Sequence, residues 1–241
     1  MKNYIQFLVE AGQAAGKMEL VKTPLPEARA YAEAQYKKYG NDLDTDIPNF
    51  DKNYLFAQKQ AGTGKTMRKD MPVIDEKDVK DLQRRLAKGY IDVNSPHSKD
   101  LNAQKDPFPK GLQSASTGKA WLENGLAKHD GDKKDDKVSV SMSKVTVGKL
   151  HPIQKQIYFD KSIGALAEFG REKSMAFMTG KNNVFIMSKD LYIIDGHHRF
   201  LSGVLLDPNM QINALIIDLP IAKLLPLTLS YSDAVGNKRN V

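Results

Sequence analysis

Apolar, β-branched residues crowd into three short runs late in the chain: NVFIM (183–187), LYIID (191–195) and QINALIID (211–218). Each is too short for a membrane helix and too apolar to stand in water. Each is therefore expected as a strand with at least one covered face. Only Ser188-Lys189-Asp190 separates the first two, which makes them the arms of a β-hairpin. Between the second and third lies GHHRFLSGVLLDPN, a helix that must stop before Pro208. Strand, turn, strand, helix and strand in close succession describe a small α+β domain.

The neighbouring segments extend this pattern. Residues Val138 to Met142 alternate apolar and polar side chains at the period of a half-buried strand. DKSIGALAEFG (160–170) opens on a capping aspartate, sets Ile163, Leu166 and Phe169 on one face, and closes at Gly170. Pro220 is placed to start a last short helix, IAKLL, and DAVGNKRN reads as a loose tail. Residues 138–241 are thus expected to form an α+β domain with a small mixed sheet and short helices.

The first 137 residues have a different character. Residues 1–91 read as a helical region. MKNYIQFLVEAGQAA carries Tyr4, Phe7, Leu8 and Ala11 at helical spacing. PEARAYAEAQYKKYG begins between Pro24 and Pro26 and ends at Gly40. DEKDVKDLQRRLAKG has Asp75 to cap it, Val79, Leu82 and Leu86 on one face, and Gly89 to stop it. NDLDTDIPNFDKN (41–53) looks too polar and turn-rich for either regular structure. Residues 92–137 read as a polar linker or long loop. It contains one ordered island, GKAWLENGLAK around Trp121, and a charge run, KHDGDKKDDK (128–137), that should stay solvated.

Composition sets outer limits. The chain has 241 residues, no Cys, and a net charge of +7. Without thiols it has no disulfide framework, thiolate metal site or cysteine nucleophile. No run approaches the ~18 apolar residues of a membrane helix, and the N-terminus lacks the zones of a signal peptide. The expectation is a cytoplasmic protein with no membrane partner. The basic excess is shared by both halves, and weakly suggests a polyanionic partner.

The segment richest in chemistry is Asp195-Gly196-His197-His198-Arg199, between an apolar strand and a helix. Gly196 permits a sharp turn and a close ligand approach. The first helical turn has backbone N–H groups without intrahelical partners, at the positive end of the dipole, where phosphate commonly binds. Arg199 adds a planar fork of donors, and the imidazoles add donors, acceptors or acid–base capacity. The plainer alternative has Asp195 capping the helix, Arg199 pairing with it, and the histidines as satisfied core residues. Metal binding fits less well, because adjacent histidines diverge on a helix and no third ligand lies at short spacing.

DGHHRFLSG (195–203), after an apolar hairpin, resembles the signature of the ParB/sulfiredoxin superfamily, in particular its ParB-like domains with a D-G-H-H-R motif. VGKLHPIQKQIYFDKSIGAL (147–166) resembles that family's entry strand, "L-x-P-x-Q" segment and first helix. INALIIDLPIAKLL (212–225) resembles its closing strand and helix. The likeness spans roughly 138–228. The opening MKNYIQFLVE also resembles proteins of tailed phages, which would place the protein in a host cytoplasm.

The resemblance implies a small α+β fold that binds a nucleoside triphosphate, ATP or CTP, with Mg²⁺. Gly196, His197, His198 and Arg199 would hold the phosphates, with Gln154 and Lys155 across the same pocket. His197, His198 and Asp195 would be the catalytic candidates, Asp195 orienting an imidazole or a metal-bound water. The implied activity is phosphohydrolase or phosphotransferase. The alternative is non-specific DNA binding through phosphate contacts, or a nuclease. Some members are excluded or doubtful. Sulfinic acid reductases use G-C-H-R with a cysteine nucleophile, and this chain has none. Partition proteins continue into a helix-turn-helix, whereas here about a dozen residues follow the last expected helix. For a serine kinase the catalytic glutamate would be Glu168 or Glu172.

Gly62-Thr63-Gly64-Lys65-Thr66 resembles the end of a P-loop, but Lys59 stands where its first glycine belongs, and no apolar strand precedes it. A flexible basic loop is the expectation. The basic clusters Lys65–Lys69 and Arg84–Lys88 could touch DNA phosphates or be solvated faces.

Overall fold

The computed structural model describes residues 16–91, 93 and 134–239. The helix expected over residues 1–15 and the Trp121 island lie outside the described residues. The described chain is α+β. Its helices are α1 (Leu25–Lys38), α2 (Leu43–Asp46), α3 (Phe50–Ala61), α4 (Glu76–Lys88), α5 (Phe159–Thr179), α6 (His197–Leu206) and α7 (Ile221–Ala234). Its strands are β1 (Val140–Thr146), β2 (Val184–Ser188), β3 (Ile193–Asp195) and β4 (Gln211–Ile217). They form one sheet in the order β1-β4-β2-β3. Strands β2 and β3 are the expected antiparallel hairpin, with Ile186 opposite Asp195 and Met187 opposite Ile193 across an irregular register. Among the described residues no helix is long and apolar enough to cross a membrane.

The chain divides into two compact units, each gathered from three stretches. The first takes the described residues of Met1–Lys65, Lys144–Phe185 and Gly196–Ala214. The second takes those of Thr66–Ser143, Ile186–Asp195 and Leu215–Val241.

The first unit is mainly helical. Extended Pro24 caps α1 with Pro26 in its first turn, and Gly40 follows its end at φ +75, as the proline and glycine signals predict. Ala28, Ala32 and Tyr36 are its buried stripe. Phe159, the first residue of α5, sits among the rings of Tyr31, Phe50 and Tyr54, at 6.2, 6.1 and 5.2 Å between centroids, each pair edge to face. At the start of α5, Phe159 N–H donates to Met18 O at 2.7 Å and Leu20 N–H to Ile157 O at 2.8 Å. The 18–20 segment therefore lies alongside residues 157–159.

Two expectations in this unit are corrected. Residues 41–53 are not irregular: they hold α2 and the start of α3. Asp42 caps α2 through its carboxylate, which accepts from Thr45 N–H at 2.8 Å and Thr45 Oγ at 2.7 Å. Phe50, Tyr54, Ala57 and Ala61 then bury one face of α3. The helix expected over 160–170 does break at Gly170, whose φ of +68 and ψ of 175 are non-helical, but helix resumes directly and runs to Thr179. Tertiary bonds hold the break. Arg171 N–H donates to Asp46 Oδ2 at 3.2 Å, and Arg171 Nη1 to Asp46 O at 2.6 Å and Leu206 O at 3.3 Å.

In the second unit α4 has the expected bounds, from extended Asp75 to Gly89 at φ +65, with Leu82 and Leu86 buried, but the Asp75 side chain makes no capping hydrogen bond. Two polar stretches depart from the sequence reading. Asp136, within the charge run expected to stay solvated, is buried and accepts from Val93 N–H at 3.0 Å. The expected five-residue last helix is instead α7, fourteen residues long with Pro226 inside. Its end is no loose tail: Asp233 is fully buried against Arg239, with Arg239 Nε 3.0 Å from Oδ1, and Asn237 Nδ2 donates to Val73 O and Asp78 Oδ2 at 2.8 and 2.9 Å. Buried polar groups need partners, and these supply them.

Candidate functional site

Gly196 carries the turn from β3 into α6. Its φ of +115 is a conformation that side-chain-bearing residues rarely adopt. A Cβ at this position would stand 2.7 Å from Phe185 Cδ1 and 3.3 Å from Arg199 Nη2. Glycine is thus required here both by backbone angle and by the Phe185 ring. Helix α6 begins at the next residue, so the N–H groups of its first turn project from the helix end without intrahelical acceptors.

The three side chains that follow this turn bond to two segments, the imidazoles to residues 153–158 and Arg199 to residues 183–184. His197 is buried, and its Nε2 accepts from Ile153 N–H and Gln154 N–H, each at 3.2 Å. Burial, and then the nearby Arg199 charge, push its pKa down to about 3. His198 Nε2 accepts from Tyr158 N–H at 3.1 Å, and its ring stacks on Tyr158 at 6.0 Å and 20°. The His198 carbonyl accepts from Ser162 Oγ at 3.0 Å. Arg199 Nη1 donates to Asn183 Oδ1 at 2.7 Å and Val184 O at 3.1 Å, with its guanidinium 4.9 Å from the centre of the Phe185 ring.

Both imidazoles therefore act on the backbone of the Ile153–Tyr158 segment, with Nε2 as acceptor. In these positions neither Nε2 is placed to take a proton from a ligand, because backbone donors occupy both lone pairs. Of the other candidates, Gln154 is buried and its Nε2 donates to Gln156 O, which shapes the segment locally. Lys155 is exposed. Asp195 ends β3 and belongs to the second unit, whereas Gly196 to Arg199 belong to the first with the segments that hold them. Glu168 and Glu172 flank the Gly170 break in α5, half-buried and exposed respectively.

The Gly62–Lys65 loop adjoins the same segment. A helix, α3, runs into it where a P-loop has a strand. A Cβ on Gly64 would stand 2.7 Å from Gln154 O and 3.1 Å from Ile153 O. The peptide whose N–H groups serve His197 is thus covered on its carbonyl side by a glycine.

Residue-level reading of the sequence missed Ile153, Tyr158, Asn183 and Phe185, which fix the orientation of the motif. The one local hint was Asn183, directly before the apolar residues of β2. Among the described residues no group of three or more His, Asp and Glu side chains is placed to hold a metal ion. The chain matches no known family model, no curated protein and no solved structure.

Proposed function

We propose that the protein binds a nucleoside triphosphate, ATP or CTP, as a ParB-like protein. Its phosphates would sit at the Gly196 turn and the N-terminus of α6, and the terminal phosphate would be hydrolysed or transferred. The observation that carries this reading is Gly196 itself: a positive-φ glycine, closed in by Phe185, opens a ten-residue helix with Arg199 in its first turn. This concentrates N–H donors and positive charge in one place, which suits a phosphate oxygen.

Phosphoryl transfer asks a protein mainly for positioning and charge stabilisation, and those are what N–H groups and a guanidinium provide. The imidazoles contribute by positioning: they hold Ile153–Tyr158 beside the helix end. Mg²⁺, when bound, neutralises phosphate charge and needs only one or two protein carboxylates besides phosphate and water. Asp195 is the carboxylate next to the turn in sequence.

The test is a thermal-shift titration of the full chain with ATP, CTP, GTP and pyrophosphate, with and without Mg²⁺, followed by assay of phosphate release. A ligand of the native state raises stability by about 2.7 kcal/mol at a hundred times its Kd, so a saturating, concentration-dependent rise in Tm is expected. Gly196→Ala should weaken it. No shift with any nucleotide, together with duplex-DNA affinity that falls steeply with salt, would favour the DNA-binding alternative instead.

A further inference from the structure

We infer that His197 serves the N-terminus of α6 as a neutral hydrogen-bond donor of fixed tautomer, presenting Nδ1–H to an oxyanion of the ligand. The inference rests on the phosphate reading above and defines the state of one residue within it.

The tautomer follows from the hydrogen-bond network. Two consecutive backbone donors, Ile153 N–H and Gln154 N–H, converge on Nε2 at 3.2 Å. An imidazole nitrogen that accepts carries no proton, so the proton of the neutral ring is on Nδ1. Protonating Nε2 would set a third N–H against those two, in a ring that is 4% exposed and beside Arg199. The same burial that holds the ring neutral therefore also fixes which nitrogen donates.

Among the described residues Nδ1 has no hydrogen-bond partner, and it is not one of the fully buried unpartnered side-chain atoms, so it keeps an accessible edge in a residue that is otherwise more than nine-tenths buried. Nδ1 is attached to the ring carbon that joins Cβ, so covalent geometry keeps it beside the first turn of α6. There it adds a donor to a place already supplied with backbone donors. A group bearing only acceptors, a phosphoryl oxygen above all, complements that set, and an ammonium group does not. A neutral imidazole whose pKa is lowered at a helix N-terminus can polarise or stabilise an oxygen that carries negative charge by donating a hydrogen bond to it. His197 then has no part as general base, and contributes no titration to binding near neutral pH.

The experiment is ring ¹⁵N NMR of the histidine-labelled full chain from about pH 5 to pH 8, where an ordinary histidine titrates, followed by addition of pyrophosphate. The expected result is a His197 signal with protonated Nδ1 and bare Nε2 across the range, and a pyrophosphate-dependent shift of the Nδ1–H proton. A protonated Nε2, or titration near the ordinary histidine value, overturns the inference without reference to ligand. Pyrophosphate that moves the amides of His198 and Arg199 but leaves Nδ1–H unmoved overturns it while preserving the phosphate reading. No pyrophosphate-dependent shift anywhere in residues 196–199 sinks both.

Discussion

A methyl group on Gly196 would have to share space with the Phe185 ring, at 2.7 Å from Cδ1, on a backbone held at φ +115. Gly196→Ala is expected to lower stability by about 1–3 kcal/mol, the usual cost of such a conformation for a residue with a Cβ. Urea unfolding checks this. His197 makes a pH-dependent prediction with a definite sign. Its folded pKa, near 3, lies below the ordinary value of 6.5. Between those values only the unfolded chain takes the proton. The contribution of His197 is therefore complete above the ordinary value and declines as pH falls towards 3, by up to about 1.4 kcal/mol per pH unit. Unfolding His197→Phe in the same window should take up about one proton fewer than wild type. An equal acid slope in both proteins would show that His197 titrates normally in the fold.

At the scale of elements, helix ends were legible where the chain writes them locally. Pro24 with Gly40 bounds α1, and Gly89 ends α4, because proline and glycine act through their own backbone angles. Helices α2 and α3 were hidden by their polar composition, although Phe50, Tyr54, Ala57 and Ala61 keep helical spacing. The resumption of α5 after Gly170 had no local signal, since it depends on Asp46 and on the carbonyl of Leu206. The C-terminal end of α6 is secured in the same way: Asn53 Nδ2 donates to Leu205 O at 2.9 Å, and Arg171 to Leu206 O. Its helix-end carbonyls thus find side-chain donors. Arg171→Met keeps much of the apolar stem and removes the donors. It should destabilise by about 1.5–3 kcal/mol, the range for hydrogen bonds to a charged group. Chemical denaturation reads this, and a change below about 0.5 kcal/mol, typical of plain surface positions, would count against the clamp.

On the scale of the whole chain, the polar C-terminal residues matter more than their composition suggests. Asp233 is fully buried and bonded to Arg239, and Ser232 Oγ donates to Val73 O at 2.8 Å. Arg239→Met leaves a buried carboxylate without its cation and should cost about 3–5 kcal/mol. The double variant Arg239→Met with Asp233→Leu should recover part of that loss, because it removes the stranded charge. A single variant as stable as wild type would show the pair to be incidental.

The sequence by itself determined the α+β class, the hairpin, the helix-breaking glycines and the location of the Gly196 turn. All of these follow from backbone preferences and apolar periodicity acting over a few neighbouring residues. Tertiary structure alone decided what the motif's side chains do. His197 meets the backbone of Gln154 from 43 positions away, and His198 that of Tyr158 from 40. Whether an imidazole faces a ligand or a peptide N–H depends on which distant segment fills the space beside it. Local pattern carries no record of that choice, because the same five residues satisfy the rules of a helix start either way.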